Sequence, residues 1–370
     1  MKSEILIIEC KEAKIREDFS NMSVVHCRNS FIIASYLGAD LISHETEIEN
    51  TLKKSYSHIV CCYASGYMMY KKYFKILEKN KNADIFWLVN DHKVHDSPLL
   101  RMWIEKYQIK YDMISNNNRN AYDLGVLNYI LSGKKINEWI ENWYVLNLNC
   151  LIFDISTKRR VKKNLFQESK EDCIYYGTYR QDRILDMLDY NSFDYCISTS
   201  KKNVSKYKQS GVLARYIKKL DWQIGNETLY NFKYSIYFED SHTHTNYAFM
   251  GNRYYECIML DVLVFFDYRC RQTIEKSGYR ISEFCIVKNG EDLRNKISLL
   301  ESNRLEYEQL INLQRSNYEL ILKEKEFVLR SLKNIFEIKK ERTQIKDYDF
   351  LIKRKVLRSN ANTKQLSIFD

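Results

Sequence analysis

Proline is all but absent: Pro98 is the single one in 370 residues, and only ten glycines accompany it. So few helix breakers and turn formers exclude a collagen-like repeat and a Pro- or Gly-rich tether between domains. Long apolar runs are missing too. No stretch approaches the roughly 18 uninterrupted apolar residues of a membrane span, so none is expected. The opening "MKSEILIIEC" is a short apolar run broken by acids, which reads as a first buried strand and not as a secretory signal. The ten cysteines stand singly apart from Cys61-Cys62, with no C-x-x-C and no Cys/His ladder of zinc spacing. Free thiols in a reducing cytoplasm, most of them small core residues, are the expectation.

What is present points to an enzyme-sized globular chain. Hydrophobic residues make up 45%, enough for a real core, and the length suits two domains of about 100–200 residues each. The formal net charge of +10 favours polyanionic partners: nucleic acid, nucleotides or an anionic membrane surface. General solubility is the plainer reading of the same number. The charge is uneven, and "IKKERTQIKDYDFLIKRKVLRS" near the C-terminus is among its densest stretches.

Apolar strands alternate with helical patterns along most of the chain. "EILIIE" (4–9), "SHIVCCY" (57–63), "DIFWLVN" (84–90) and "YDMIS" (111–115) are continuous runs of the kind buried on both faces of a parallel sheet. "MMYKKYFKILEKNK" (68–81) is helical between them. A second series follows: "DCIYYG" (172–177), "FDYCIST" (193–199), "YSIYFE" (234–239), "DVLVFFD" (261–267) and "EFCIVK" (283–288). Two such series predict an α/β protein of two Rossmann-like domains facing a cleft, with C-terminal helices. The predicted domains are 1–150, 151–340 with crossing helices, and a basic tail at 341–370. The stretch 134–154, where strand rhythm fades, is the expected hinge.

The most informative segment is "YSIYFEDSHTHTNYAFMGNRYYECIMLDVLVFFD" (234–267). A strand ends in Glu239 and Asp240, and a helix opens near Gly251 and Asn252. Ligands of parallel α/β sheets sit where strand ends meet helix N-termini. Arg253 and Glu256 are three apart, hence neighbours on one helical face. The arginine can hold a diphosphate by charge-assisted bonds, and the glutamate can accept both hydroxyls of a ribose. A second phosphate candidate is "YYGTYRQDR" (175–183), where Gly177 permits a tight turn beside Thr178. Arg180 and Arg183, spaced one helical turn apart, are expected to face the same opening. Solvated arginines at a helix start are the plainer reading. "HTH" (242–244) offers two metal ligands without a third, and a polar loop is the preferred reading. Glu239-Asp240 could bind Mg²⁺ near a diphosphate, or Glu239 could bond sugar hydroxyls.

The two-domain layout, the G-x-x-R-x-x-R loop and "GNRYYE" followed by "FCIVKNGEDLRNKI" resemble glycosyltransferases of the GT-B architecture. The Asn-rich, Pro-poor style is similar to phage enzymes that glycosylate hydroxymethylated bases in DNA. That resemblance implies a UDP-sugar donor bound by the second domain. Arg253 and Glu256 would hold phosphate and ribose, and Arg180 and Arg183 would assist the diphosphate. It also implies an acceptor-binding first domain, double-stranded DNA as partner, a cytoplasmic setting, and Mg²⁺ as optional. Asp91, at the end of "WLVN" (87–90), is the candidate base that takes a proton from the acceptor hydroxyl; a helix N-cap or turn residue is its plainer reading. His26, after the short strand "SVV" and beside Arg28 and Asn29, is the rival base, with an ordinary half-buried histidine as the alternative. The closing "QLSIF" resembles the short peptide by which bacterial DNA-processing proteins bind the replicative sliding clamp. Gln365 would bond at a pocket rim that Leu366, Ile368 and Phe369 fill; docking of the tail on its own domain is the alternative. Two rival functions remain open: a transferase of the same fold acting on surface polysaccharide, and a non-catalytic DNA- or clamp-binding accessory protein.

Overall fold

In this computed structural model the continuous apolar runs form two separate parallel sheets of six strands each. The structure describes residues 4–9, 25–43, 46–62, 70–89, 97–116, 129–153, 171–220, 229, 231–240 and 249–338. The candidate base Asp91, the "HTH" loop and the tail residues Gln365, Leu366, Ile368 and Phe369 lie outside the described residues. The chain divides into two units, 1–151 with 324–348, and 152–323 with 349–370. The C-terminal helical run is therefore shared between them.

The first unit runs β1 (Ile5–Glu9), α1 (Val25–Leu37), β2 (Asp40–Ile42), α2 (Glu49–Leu52), β3 (His58–Cys62), α3 (Tyr70–Lys79), β4 (Asp84–Val89), α4 (Pro98–Tyr107) and β5 (Tyr111–Ser115). A two-stranded ribbon, β6 (Ile130–Leu131) and β7 (Lys134–Lys135), precedes β8 (Ile140–Val145). The sheet order is β2-β1-β3-β4-β5-β8, all parallel. Ser97 caps α4 by accepting from the Leu100 amide, and Pro98 sits at the first helical position, where its missing N–H costs nothing. Two expectations are corrected here. The 134–154 stretch is not simply a hinge, because it supplies β8. "IENWYV" buries Ile140 and Trp143 but exposes Glu141 and Asn142, as suits a sheet edge, so no continuous apolar run marks it. His26 does not follow a strand, because Val25 already opens α1; its side chain lies outside the described set.

The second unit runs β9 (Glu171–Tyr176), α5 (Gln181–Leu188), β10 (Cys196–Thr199), α6 (Lys201–Gln209), β11 (Arg215–Lys218), β12 (Phe232–Tyr237), α7 (Asn252–Met259), β13 (Leu263–Asp267), α8 (Arg271–Ser277), β14 (Ile286–Val287), α9 (Gly290–Ser302) and α10 (Arg304–Arg315). α11 (Tyr318–Ile338) starts here, and its residues from Glu324 on belong with the first unit, where Phe336 packs edge-on against Phe86. The sheet order is β11-β10-β9-β12-β13-β14, again all parallel. The order reverses between β9 and β12, so the crevice that such sheets use for ligands opens beyond the carboxyl ends of those two strands. The core beneath is aromatic: Tyr175, Tyr190, Tyr234, Phe238 and Phe265 are all buried.

Cys61, Cys62, Cys150, Cys173, Cys196, Cys257, Cys270 and Cys285 are buried free thiols. Among the described residues no helix is long and apolar enough to cross a membrane.

Candidate functional site

The sequence around the β9–β12 reversal gives each element one job. β9 ends at Tyr176 and hands over to Gly177; β12 ends at Tyr237 and hands over to Phe238, Glu239 and Asp240. α7 then begins with Gly251 as its N-cap, in extended conformation and without a side-chain cap. The first-turn amides of such a helix point outward unsatisfied and favour an anion. Gly177 is required by what it touches. A β-carbon there would stand 3.0 Å from Arg253 Nη1 and 3.1 Å from the Tyr175 hydroxyl. Gly251 is required likewise, since a β-carbon would stand 2.9 Å from both Glu239 Oε2 and the Tyr237 hydroxyl.

Arg253 sits at the centre. Its Nη2 donates to the Phe238 carbonyl at 2.6 Å and to Glu239 Oε2 at 3.2 Å. Its guanidinium lies between two rings, with centroids at 5.3 Å for Tyr175 and 5.2 Å for Tyr237. Burial alone would ease its proton off, but Tyr175 and Glu239 outweigh that and keep it firmly charged. Nε is buried without a hydrogen bond among the described residues, as is Asn252 Oδ1 beside it. Buried donors left this way are expensive and signal a missing partner. One turn along α7, Glu256 is buried, and its Oε2 accepts from the Tyr176 hydroxyl at 3.0 Å. Tyr176 also donates to the Arg253 carbonyl at 3.2 Å, which ties the helix to the end of β9.

Arg183 is turned inward. It is buried, and its guanidinium donates to Glu239 Oε1 at 2.5 Å, to Asp240 Oδ1, and to the Tyr175 hydroxyl at 3.0 Å. The reason is local. α5 starts at Gln181, so Arg180 is the extended N-cap and not a helical neighbour of Arg183; Arg183 falls on the inner face with Ile184 and Met187. Arg180 and Thr178 are exposed, and Arg180 has no ion pair among the described residues.

Glu239 is likewise absorbed. Besides Arg183 and Arg253 it accepts from the Tyr237 hydroxyl at 2.9 Å, and Tyr237 in turn accepts from the Gly251 amide at 2.7 Å. Burial pushes its carboxyl up, but the guanidiniums of Arg183 and then Arg253 more than reverse this and hold it below the ordinary range. Its oxygens thus carry protein partners and are not aimed at sugar hydroxyls. Asp240 shares the Arg183 counter-charge, so the pair already holds a cation. No group of three or more His, Cys, Asp or Glu able to hold a metal occurs among the described residues.

Arg183, Arg253, Glu239 and Asp240 sum to zero charge. Beyond this neutral set, exposed Arg180 and the start of α7 leave the local potential positive. Tyr175, Tyr176 and Tyr237 were not picked out on sequence, since nothing distinguishes three residues among 29 tyrosines.

The fold, two parallel six-stranded sheets, is shared with solved GT-B glycosyltransferases. Among solved structures the chain is similar to T4 phage beta-glucosyltransferase, at 13% identity and a TM-score of 0.60, covering 89% of this chain and 98% of that one. That enzyme has also been solved with its UDP-glucose substrate, at a TM-score of 0.58. An alpha-glucosyltransferase in complex with UDP and a 13-mer DNA containing a HMU base matches at 12% identity and a TM-score of 0.56, covering 90% and 98%. By sequence, no protein-family model and no curated protein matches the chain.

Proposed function

We propose that this protein transfers a sugar from a UDP-sugar to the hydroxyl of a hydroxymethylated pyrimidine in double-stranded DNA. One observation carries the donor half: Arg253, with its Nε unsatisfied, and Glu256 lie one turn apart on a helix that opens at the sheet's reversal point. Arg253 and the α7 amides hold the diphosphate, Arg180 closes on it from the β9 loop, and Glu256 binds the ribose. Charge on the departing diphosphate is stabilised by these fixed donors, so Mg²⁺ is optional. Asp91 serves as general base on the acceptor hydroxyl, and His26 is its rival. The DNA half rests on the net charge and on the DNA-modifying enzymes among the structural neighbours. The tail docks to a sliding clamp through Gln365, Leu366, Ile368 and Phe369, in the cytoplasm of the cell where the DNA is made.

The test incubates the full chain with radiolabelled UDP-sugars and either hydroxymethylated or plain duplex. Label on the hydroxymethylated duplex alone supports the reading. Label on neither duplex, with transfer to a polysaccharide, replaces the acceptor. Asp91→Asn is expected to abolish transfer while UDP still binds; near-normal turnover removes Asp91 as the base.

A further inference from the structure

From Tyr195 to Leu220 the chain contains no acidic residue. The same segment carries Lys201, Lys202, Lys206, Lys208, Lys218 and Lys219, every one exposed, and Arg215, which pairs with Asp194 at 3.1 Å. No carboxylate among the described residues pairs with any of the six lysines. Nothing in the unit explains this. Lys201 and Lys202 occupy the first turn of α6, where cations oppose the helix dipole and no acid offsets them. Lys218 and Lys219 close β11, the edge strand, and add to the same local charge.

The hydrogen bonds fix where four of these lysines stand. Thr199, two residues before Lys201, is in register with Lys218, and Ser198 Oγ donates to the Lys218 carbonyl at 3.0 Å. The Gly177 amide donates to the Ser198 carbonyl at 3.3 Å, and Thr199 Oγ1 donates to the Gly177 carbonyl at 2.8 Å. Lys201, Lys202, Lys218 and Lys219 therefore stand at the carboxyl end of the sheet, on segments that adjoin the Gly177 loop.

We propose that Lys201, Lys202, Lys218 and Lys219 form a docking surface for the phosphodiester backbone of duplex DNA. This proposal rests on the DNA-acceptor reading above and assigns part of the contact to the donor-binding unit. Flexible point charges of one sign, unpaired and spread over a strand edge and an adjoining helix start, suit a regular row of phosphates. A membrane surface fits less well, because among the described residues no large apolar side chain is exposed beside these four; exposed Leu213 precedes the opposite end of β11.

The experiment measures fluorescence anisotropy of a labelled plain duplex against salt, for the full chain and for the Lys201→Gln/Lys202→Gln/Lys218→Gln/Lys219→Gln variant. UDP affinity of both is measured alongside. Each lost phosphate contact lowers the log–log slope by about 0.9, so a fall of roughly 2–4 is expected. UDP affinity is expected to stay within about twofold, the donor site being intact. An unchanged slope in the variant, with salt-dependent binding by the parent chain, overturns this surface and leaves the acceptor reading standing. A parent chain that binds no duplex overturns both. A tenfold loss of UDP affinity with an unchanged slope reassigns the lysines to the donor, and loss of anionic-vesicle binding with an unchanged slope reassigns them to a lipid surface; either result overturns the proposal.

Discussion

The Glu239 carboxylate bridges Arg253 and Arg183, accepting from Nη2 of the first at 3.2 Å and Nη2 of the second at 2.5 Å. The bridge explains how an arginine can sit between Tyr175 and Tyr237, largely out of water, and still present Nε and Nη1 in a fixed direction. Glu239→Gln removes the negative charge but keeps the shape. Arg183 then keeps only Asp240 and Arg253 loses its carboxylate, and breaking such a pair costs about 3–5 kcal/mol. Denaturant unfolding is expected to show a loss of that order. Because the folded-state pKa of Glu239 is depressed, its contribution is present above the unfolded carboxylate value and fades as pH falls through the folded one. The variant should lack that acid-side loss; an unchanged parent-like stability and acid limb would contradict the bridge.

Gly177→Ala tests the approach of the β9 loop to Arg253. The added methyl meets Arg253 Nη1 at 3.0 Å and the Tyr175 hydroxyl at 3.1 Å, so the guanidinium must move by a few tenths of an ångström. Overpacking of this kind costs about 1–3 kcal/mol. The expected result is a UDP affinity lower by about tenfold, alongside a stability loss of that order. Parent-like UDP affinity would show that the loop and Arg253 do not share a ligand.

A pH effect is expected around Arg269. That arginine donates to Asp189 at 2.6 Å and to Asp267 at 3.0 Å, and its Nε is ion-paired with Asp186 at 3.1 Å. Burial pushes the Asp186 carboxyl up to about 6, with Arg269 opposing and Asp267, Asp189 and Asp182 adding to the rise. The folded state thus holds this proton more tightly than the unfolded chain does. Its contribution to stability is full below about pH 4 and declines as pH rises towards 6. Asp186→Asn has no proton to lose, so it should gain on the parent by about 1–2 kcal/mol across that window, after allowance for partial exposure. Melting curves from pH 4 to 7 check this; a variant that loses ground with rising pH would reverse the sign.

Much of this architecture was legible because parallel strands buried on both faces are written as continuous apolar runs, as in "ILIIE", "HIVCC" and "LVFFD". β2, β8 and β11 escaped notice because they are short or one-faced edge strands with polar residues among the apolar ones. Arg253 and Glu256 were legible because one helix carries both, and their spacing alone sets them on one face. Helical spacing counted from Arg180 does not place Arg183, because the structure leaves Arg180 outside the helix. The inward turn of Arg183 depends on Glu239 and Asp240, more than fifty residues away, and no local pattern encodes that partnership.

Calorimetric titration of the chain with UDP, repeated for Arg253→Ala and Glu256→Ala, bears most directly on the donor site. The account predicts one UDP per chain. It predicts an affinity loss of roughly 1.5–3 kcal/mol for Glu256→Ala, the range for hydrogen bonds to a charged group, and at least as much for Arg253→Ala. Undiminished UDP affinity in both variants, or no UDP binding by the parent chain, would contradict it.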